Sequence, residues 1–400
     1  MNLFSSRGFA VNLKPRILFV SHSSSRNGAT ILLLSLLRWL KENTDYEIEI
    51  LVNDSGELVN EFHAIGRTMV WRNPAFFLEA FPGKIKRVLK PQIESACLKL
   101  FMARRNYDLV YLNTSAVAFQ ASVMALSARH VLWHIHEMEY ALRLTMGEVQ
   151  IKKLFPLATR FIVVSNAVKK ALVNEFKVPD NKIDLVNGSV AVPNLTKEEI
   201  QMRRRQIRFR LGWPEDAFVI GGCGALGWRK GTDVFLQIAD LMCKAESDGR
   251  IRFLWVGGGG DEALRFEHDV RHLGLSKLCY QISATTDVMD YYFAMDVFAL
   301  TSREDPFPLV MLEAGACQLP TVCFAGAGGG PEYVGDDAGL IAPYLDVAAF
   351  VSQLQRLRDN PELRERLGAA AAHKVQKQHI IETQGPKLLA SIERCLENID

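Results

Sequence analysis

The chain has 400 residues, 48% of them hydrophobic and 23% charged, with a formal net charge of +2. That length exceeds one ordinary core and implies two domains of roughly 150–200 residues each. The near balance of charge excludes a global attraction for nucleic acid, and no run approaches the roughly 20 apolar residues of a membrane span. The seven cysteines form no C-x-x-C pair and no Cys/His ligand spacing. Reduced thiols, no metal site and a cytoplasmic location are therefore expected.

The opening Met1–Gly8 lacks a charged region followed by an apolar stretch and a small-residue cleavage site, so no leader peptide is expected. Arg16–Val20 reads as a first strand, ending in polar Ser21, His22 and Ser23. Ser23–Ala29 then opens a helix at Thr30–Leu40, where Gly28 and Ala29 let the backbone approach a ligand at the helix N-terminus. The loop is neither G-x-G-x-x-G nor a P-loop. Glu47–Val52 is a second strand. Between Lys84 and Arg105 a basic amphipathic segment suits anionic lipid or an acidic acceptor, with a solvated helix face as the plain alternative. Leu109–Leu112, Val131–His136 and Phe161–Val164 continue the pattern, and His136 falls at the polar end of its strand. Continuous apolar strands alternating with helices indicate a parallel sheet covered on both faces.

A second set of strands follows the charged helical stretch Thr196–Arg210: Phe218–Ile220, Arg252–Val256, Val297–Leu300 and Thr321–Phe324. The expected organisation is a first domain over 1–195, a linking helix over 196–212, a second domain over 213–375, and a C-terminal helix over 376–400 returning toward the first domain. This is an α/β protein of two doubly wound domains, whose ligands sit beyond the carboxyl ends of the strands. The strand-end loops carry the candidate residues. Arg229 and Lys230, in Gly224–Gly231, suit a diphosphate. Gly257 and Gly258 suit a flat base or a phosphate, with a merely flexible corner as the plain alternative. Gly328–Glu332 brings N–H groups and the Glu332 carboxylate. In Thr301–Gly315, Pro308 suits the first turn of a helix, Asp305 lies just outside its positive end, and Glu313 about a turn and a half inside. Acids beside such an anion seat hydrogen-bond hydroxyls, which points to a phosphorylated sugar.

These residues resemble glycosyltransferase family 4, retaining enzymes of the GT-B fold that use a nucleotide-sugar donor. Ser302–Ala314 is similar to that family's paired-acid region, and Phe218–Gly231, Trp255–Gly260, Tyr291–Val297 and Gly329–Glu332 follow in the family's order. Asn27–Ala29, His136–Glu137, Ser165–Asn166 and Val186–Gly188 resemble its N-terminal marks. The resemblance implies that Glu313 binds the donor ribose, that Asp305 contacts the transferred sugar (Glu304 if the turn shifts), and that N–H groups around Phe307 and Leu309 face sugar and diphosphate. It implies that Lys230, with Arg229, stabilises the departing diphosphate, that Gly28 contacts the phosphates, and that His136 sits near the reacting sugar. The chain departs from the family in three places: an aspartate stands at the first acid, Ala225 where an arginine is usual, and Pro308 where glycine is common.

The expected activity is retaining, front-face transfer from a UDP- or GDP-sugar to a saccharide or lipid-linked acceptor in polysaccharide biosynthesis. It calls on no metal and no cofactor beyond the nucleotide-sugar co-substrate, and no nucleic acid. Peripheral contact with the inner membrane face is expected through Lys84–Arg105. The alternatives are a nucleotide-sugar epimerase or hydrolase of the same fold, or a non-catalytic donor-binding or assembly protein. A nicotinamide dehydrogenase is disfavoured by the missing G-x-G-x-x-G.

Overall fold

A computed structural model describes residues 14–71, 83–103, 105–125, 128–245 and 249–397. Met1–Gly8 and Arg104 lie outside the described residues, as do the side chains of Lys84, Lys86 and Arg87. The strands are β1 (Arg16–Ser21), β2 (Glu47–Val52), β3 (Arg67–Val70), β4 (Leu109–Asn113), β5 (His130–Ile135), β6 (Arg160–Val163), β7 (Ile183–Leu185), β8 (Phe218–Cys223), β9 (Ile251–Val256), β10 (Cys279–Ile282), β11 (Val297–Leu300), β12 (Thr321–Phe324) and β13 (Gly339–Ala342). They form a seven-stranded sheet, β3-β2-β1-β4-β5-β6-β7, and a six-stranded sheet, β10-β9-β8-β11-β12-β13. The registered pairs are parallel, for example Ile17 with Ile48 and Leu109, and Ile220 with Phe253 and Val297.

Parallel strands need helical crossovers on both faces, which buries them almost completely. Ile17–Val20 and Leu109–Leu112 have no accessible surface. In the second sheet, Phe235 sets its ring edge-on to Phe253 and Trp255, at 5.7 and 5.1 Å. The helix Gly28–Asn43 starts where the Asn27 side chain accepts from the Thr30 N–H. The helix Lys197–Arg210 starts with a capping box between Thr196 and Glu199, which satisfies two otherwise orphan donors. Arg204 and Arg208 then tie that helix to Asp296, at 2.6 and 2.8 Å.

Two compact units interleave along the chain. One carries the described residues within Met1–Trp133, Lys153–Arg160 and Ile392–Asp400; the other comprises His134–Lys152 and Phe161–Ser391. The basic segment folds as the helix Gly83–Ala103, with Leu98 and Met102 buried and Leu100 63% exposed. Among the described residues no helix is long and apolar enough to cross a membrane.

Candidate functional site

The carboxyl ends of β8, β9, β11 and β12 bring four loops together within the second unit. Small residues make that approach possible. The Gly224 N–H donates to the Val256 carbonyl at 2.9 Å, and a Cβ on Gly257 would stand 2.5 Å from the Gly224 oxygen. Gly231 has φ +66°, and a Cβ there would stand 2.0 Å from the Thr301 carbonyl oxygen, so only glycine fits. Thr301 Oγ1 donates to the Lys230 carbonyl, and the Arg303 N–H to that of Arg229. The cation loop and the acid loop are thereby stitched by one side-chain and one backbone hydrogen bond.

Lys230 Nζ lies 2.5 Å from Asp305 Oδ2. Ser302 Oγ donates to the same oxygen at 3.3 Å, and Arg229 Nη1 is 3.7 Å from Asp305 Oδ1. Arg229 also donates to the Glu304 carbonyl at 3.0 Å. Asp305 is buried, and its backbone is clamped by the loop after β12: its N–H donates to Ala327, and its carbonyl accepts from Gly329.

Glu304, the neighbouring acid, faces another way. Its Oε1 accepts from the Tyr140 N–H at 3.2 Å, in the first turn of the helix Glu139–Leu154. Its Oε2 is buried and meets no hydrogen-bond geometry. Burial raises the Glu304 carboxyl above the ordinary range, an effect opposed by the N–H groups of Tyr140 and Ala141 and by Arg229.

The helix after the acid loop is Leu309–Ala316, with Pro308 as its cap at φ −68° and ψ 122°. Pro308 thus stands one place before the first turn expected for it, because its extended ψ cannot begin the helical run. Glu313 lies four residues into the helix, just over one turn at 3.6 residues per turn, rather than a turn and a half. Its Oε2 accepts from the Tyr292 hydroxyl at 2.9 Å. Burial raises its carboxyl, and the Tyr292 bond opposes that.

The other candidates are placed as follows. Phe307 turns its ring inward against His379, at 5.4 Å between centroids, and Leu309 packs beside Gly188, where a Cβ would meet Leu309 Cδ2 at 2.6 Å. Gly258 packs against Leu226 in the same way, at 2.5 Å. Both Glu332 oxygens accept from Asn166, one from its N–H at 2.8 Å and one from its side-chain amide at 2.9 Å. His136 is half-buried and stacks on His134 at 4.0 Å. Gly28, the first residue of its helix, belongs to the other compact unit. Lys230, Arg229, Asp305 and Glu304 are brought together, with Gly257 joined to them through Gly224. Ser302, Tyr292 and Tyr140 were not singled out in the sequence. A hydroxyl one position before Arg303 carries no pattern of its own, and Tyr140 reaches the site from 164 residues away. Among the described residues no three of His, Cys, Asp and Glu converge as a metal-ligand set.

Two family models match the chain: Glycosyltransferase Family 4 over residues 26–191 and Glycosyl transferases group 1 over residues 203–374. The chain is 30% identical over 221 residues to a D-inositol 3-phosphate glycosyltransferase of Corynebacterium kroppenstedtii, covering 54% of this chain and 49% of that one. It is 27% identical over 360 residues to the sulfoquinovosyl transferase SQD2 of Arabidopsis thaliana, covering 86% and 66%. The chain therefore spans about half the length of the inositol-phosphate relative it matches. Among solved structures it is similar to Anabaena HepE in complex with UDP, with a TM-score of 0.75 and 18% identity over 95% of this chain and 100% of that one. It is also similar to a sucrose-phosphate synthase from Thermosynechococcus elongatus, with a TM-score of 0.73 and 18% identity over 95% and 99%. With these matches running through both sheets, and with the paired acids standing against the cation loop, the chain belongs to glycosyltransferase family 4 and has the GT-B fold.

Proposed function

We propose that the protein transfers a sugar from a UDP-sugar to a hydroxyl acceptor with retained anomeric configuration. The observation that carries this reading is the Lys230–Asp305–Arg229 cluster at the strand ends, followed by a helix that carries the half-buried Glu313 carboxylate about one turn inside. Cations already held in place stabilise charge that develops on the departing diphosphate without reorganising at the moment of reaction, worth about 10²–10³ in rate per interaction. Such stabilisation acts on the transition state more than on the bound donor.

In this reading Lys230 exchanges part of its contact with Asp305 for the diphosphate when the donor arrives, with Arg229 beside it. The freed Asp305 carboxylate then accepts from a hydroxyl of the transferred sugar. Glu313 accepts from the ribose hydroxyls. N–H groups around Leu309, with no intrahelical partners at the start of that helix, face the phosphates. Pro308 supplies no such donor. Glu332, held on Asn166, keeps the Gly328–Gly330 loop seated against Asp305 rather than touching the donor. His136 stands near the reacting sugar. UDP is favoured over GDP because the similar HepE structure is a UDP complex.

The test is calorimetric titration of UDP, GDP, ADP and CMP, and of UDP-glucose, into wild type and Glu313→Ala. Micromolar binding of UDP that is lost in the variant is the expected result. No nucleotide binding by a folded protein would overturn the proposal. Turnover of a UDP-sugar at full speed with no acceptor present would replace it with a donor hydrolase.

A further inference from the structure

Two aromatic rings beside the cluster are more than half exposed. Tyr140 is 53% exposed and Trp228 55% exposed, and their ring centroids stand 5.4 Å apart at an interplanar angle of 53°. Both are nevertheless held firmly. Tyr140 is anchored at its backbone, where its N–H donates to Glu304. Trp228 begins the short turn Trp228–Lys230 and has the Arg303 guanidinium 5.3 Å from its ring centre. Arg303 is pinned in turn by Asp233 through two contacts of 2.7 Å, and it donates to the Trp228 carbonyl at 2.8 Å. Exposed aromatics contribute little to a core, and rigid ones rimmed by polar groups mark a binding surface.

The rim identifies the occupant. A sugar ring has apolar C–H faces that lie on aromatic rings and hydroxyls at its edges that seek charged partners. Around the two rings stand the Arg229 side chain, 45% exposed, Arg303, and Glu304, which accepts from the Tyr140 N–H. Hydrogen bonds to charged groups are stronger than those between neutral ones, so this rim favours a hydroxylated ring over an acyl chain. We propose that Tyr140 and Trp228 form the subsite for a saccharide ring of the acceptor. The inference rests on the transfer reading above. In the step it serves, the acceptor oxygen bonds to the anomeric carbon of the donor sugar as that carbon's bond to the diphosphate oxygen breaks. The hydroxyl proton passes to the leaving diphosphate.

Saturation-transfer NMR with maltose and methyl α-D-mannopyranoside as probes tests this, on protein saturated with UDP. Wild type, Trp228→Ala, Trp228→Phe and Tyr140→Ala are compared, and UDP affinity is measured on the same samples. The subsite is supported if at least one sugar gives C–H signals with wild type, binds roughly five- to tenfold more weakly to both alanine variants, and binds Trp228→Phe nearly as well. UDP affinity should be unchanged throughout. UDP binding with no sugar signal in wild type, or with sugar affinity in both alanine variants equal to that of wild type, overturns the subsite and leaves the transfer reading standing. Failure of wild type to bind UDP overturns the transfer reading and the subsite with it.

Discussion

Lys230 Nζ rests 2.5 Å from Asp305 Oδ2, on side chains only 13% and 7% exposed. Removing one partner of a buried pair leaves an uncompensated charge and costs about 3–5 kcal/mol, whereas replacing both with apolar groups is close to neutral. Lys230→Met is therefore expected to lose about 3 kcal/mol of stability, and Lys230→Met/Asp305→Leu to regain most of it. Neither variant should release UDP from a UDP-sugar at a measurable rate. Urea denaturation reads the first effect and UDP release the second. A double variant that still turned over donor would remove the pair from the reaction.

The adjacent acids divide the work. Asp305 faces the cations, and Glu304 holds the first turn of the helix Glu139–Leu154. Asp305→Asn should slow UDP release about 100-fold or more, the scale of one lost electrostatic contact in a transition state. Glu304→Gln keeps an oxygen for the Tyr140 N–H and should stay within about threefold of wild type in donor turnover. Glu304→Ala frees that turn and should cost about tenfold. Each tenfold step corresponds to about 1.4 kcal/mol in the barrier. Steady-state kinetics with the three variants decides the assignment, and a larger loss in Glu304→Gln than in Asp305→Asn would reverse it.

The sequence made the interior strands legible and left the edges obscure. Ile17–Val20, Leu109–Leu112, Val297–Leu300 and Val322–Phe324 are buried on both faces, and a parallel sheet writes that burial as an unbroken apolar run. The strands not foreseen were β3, β7, β10 and β13, which are the four sheet edges. Edge strands are short and carry polar residues such as Arg67, Asp184 and Gln281, so their composition resembles that of loops. The same contrast holds at the site. The Lys230 and Asp305 loops were legible because each follows an apolar strand and bears charge beside glycine or proline. The Tyr140 contact with Glu304 was not, since nothing local to either residue records a partner 164 positions away. Glu332 was legible as a strand-end acid, but its two bonds to Asn166 follow only from tertiary placement.

Glu313 sets function against stability. Its folded carboxyl is raised above the ordinary value of 4.5, first through burial. The folded state therefore holds a proton over a pH range in which the unfolded chain has lost it, and the charged form is a cost to folding at neutral pH. Glu313→Gln should melt at the same temperature as wild type or higher at pH 8, with that advantage vanishing as pH falls toward 4.5. UDP affinity should fall about 10- to 100-fold, matching a lost charged hydrogen bond of 1.5–3 kcal/mol. In wild type that affinity should also decline as pH drops through the raised value, while the glutamine variant stays flat. Calorimetry and thermal melts across pH measure both, and a variant that binds UDP normally would release Glu313 from the ribose.

His379 links the acid loop to pH. Its ring lies between Phe307 and Tyr333, at 5.4 and 5.7 Å, and its Nδ1 is buried without a hydrogen bond. Burial lowers it to about 4, with Lys387 and Lys374 adding to the shift and the Gly188 backbone opposing it. At pH above 6.5 the imidazole is neutral in both folded and unfolded chains and contributes nothing to pH dependence. As pH falls from 6.5 toward 4 the unfolded chain takes up a proton that the folded protein resists, so stability is lost over that window. The loss should approach roughly 3 kcal/mol at its lower end, at 1.36 kcal/mol per pKa unit. His379→Phe retains an aromatic ring between Phe307 and Tyr333 and removes the titrating group. Its denaturation midpoint should fall less than that of wild type between pH 6.5 and 4. Because Phe307 belongs to the acid loop, wild-type UDP affinity should weaken over the same window more than that of the phenylalanine variant. Parallel pH profiles for the two proteins would take His379 out of the coupling and leave the carboxylates to account for any acid sensitivity.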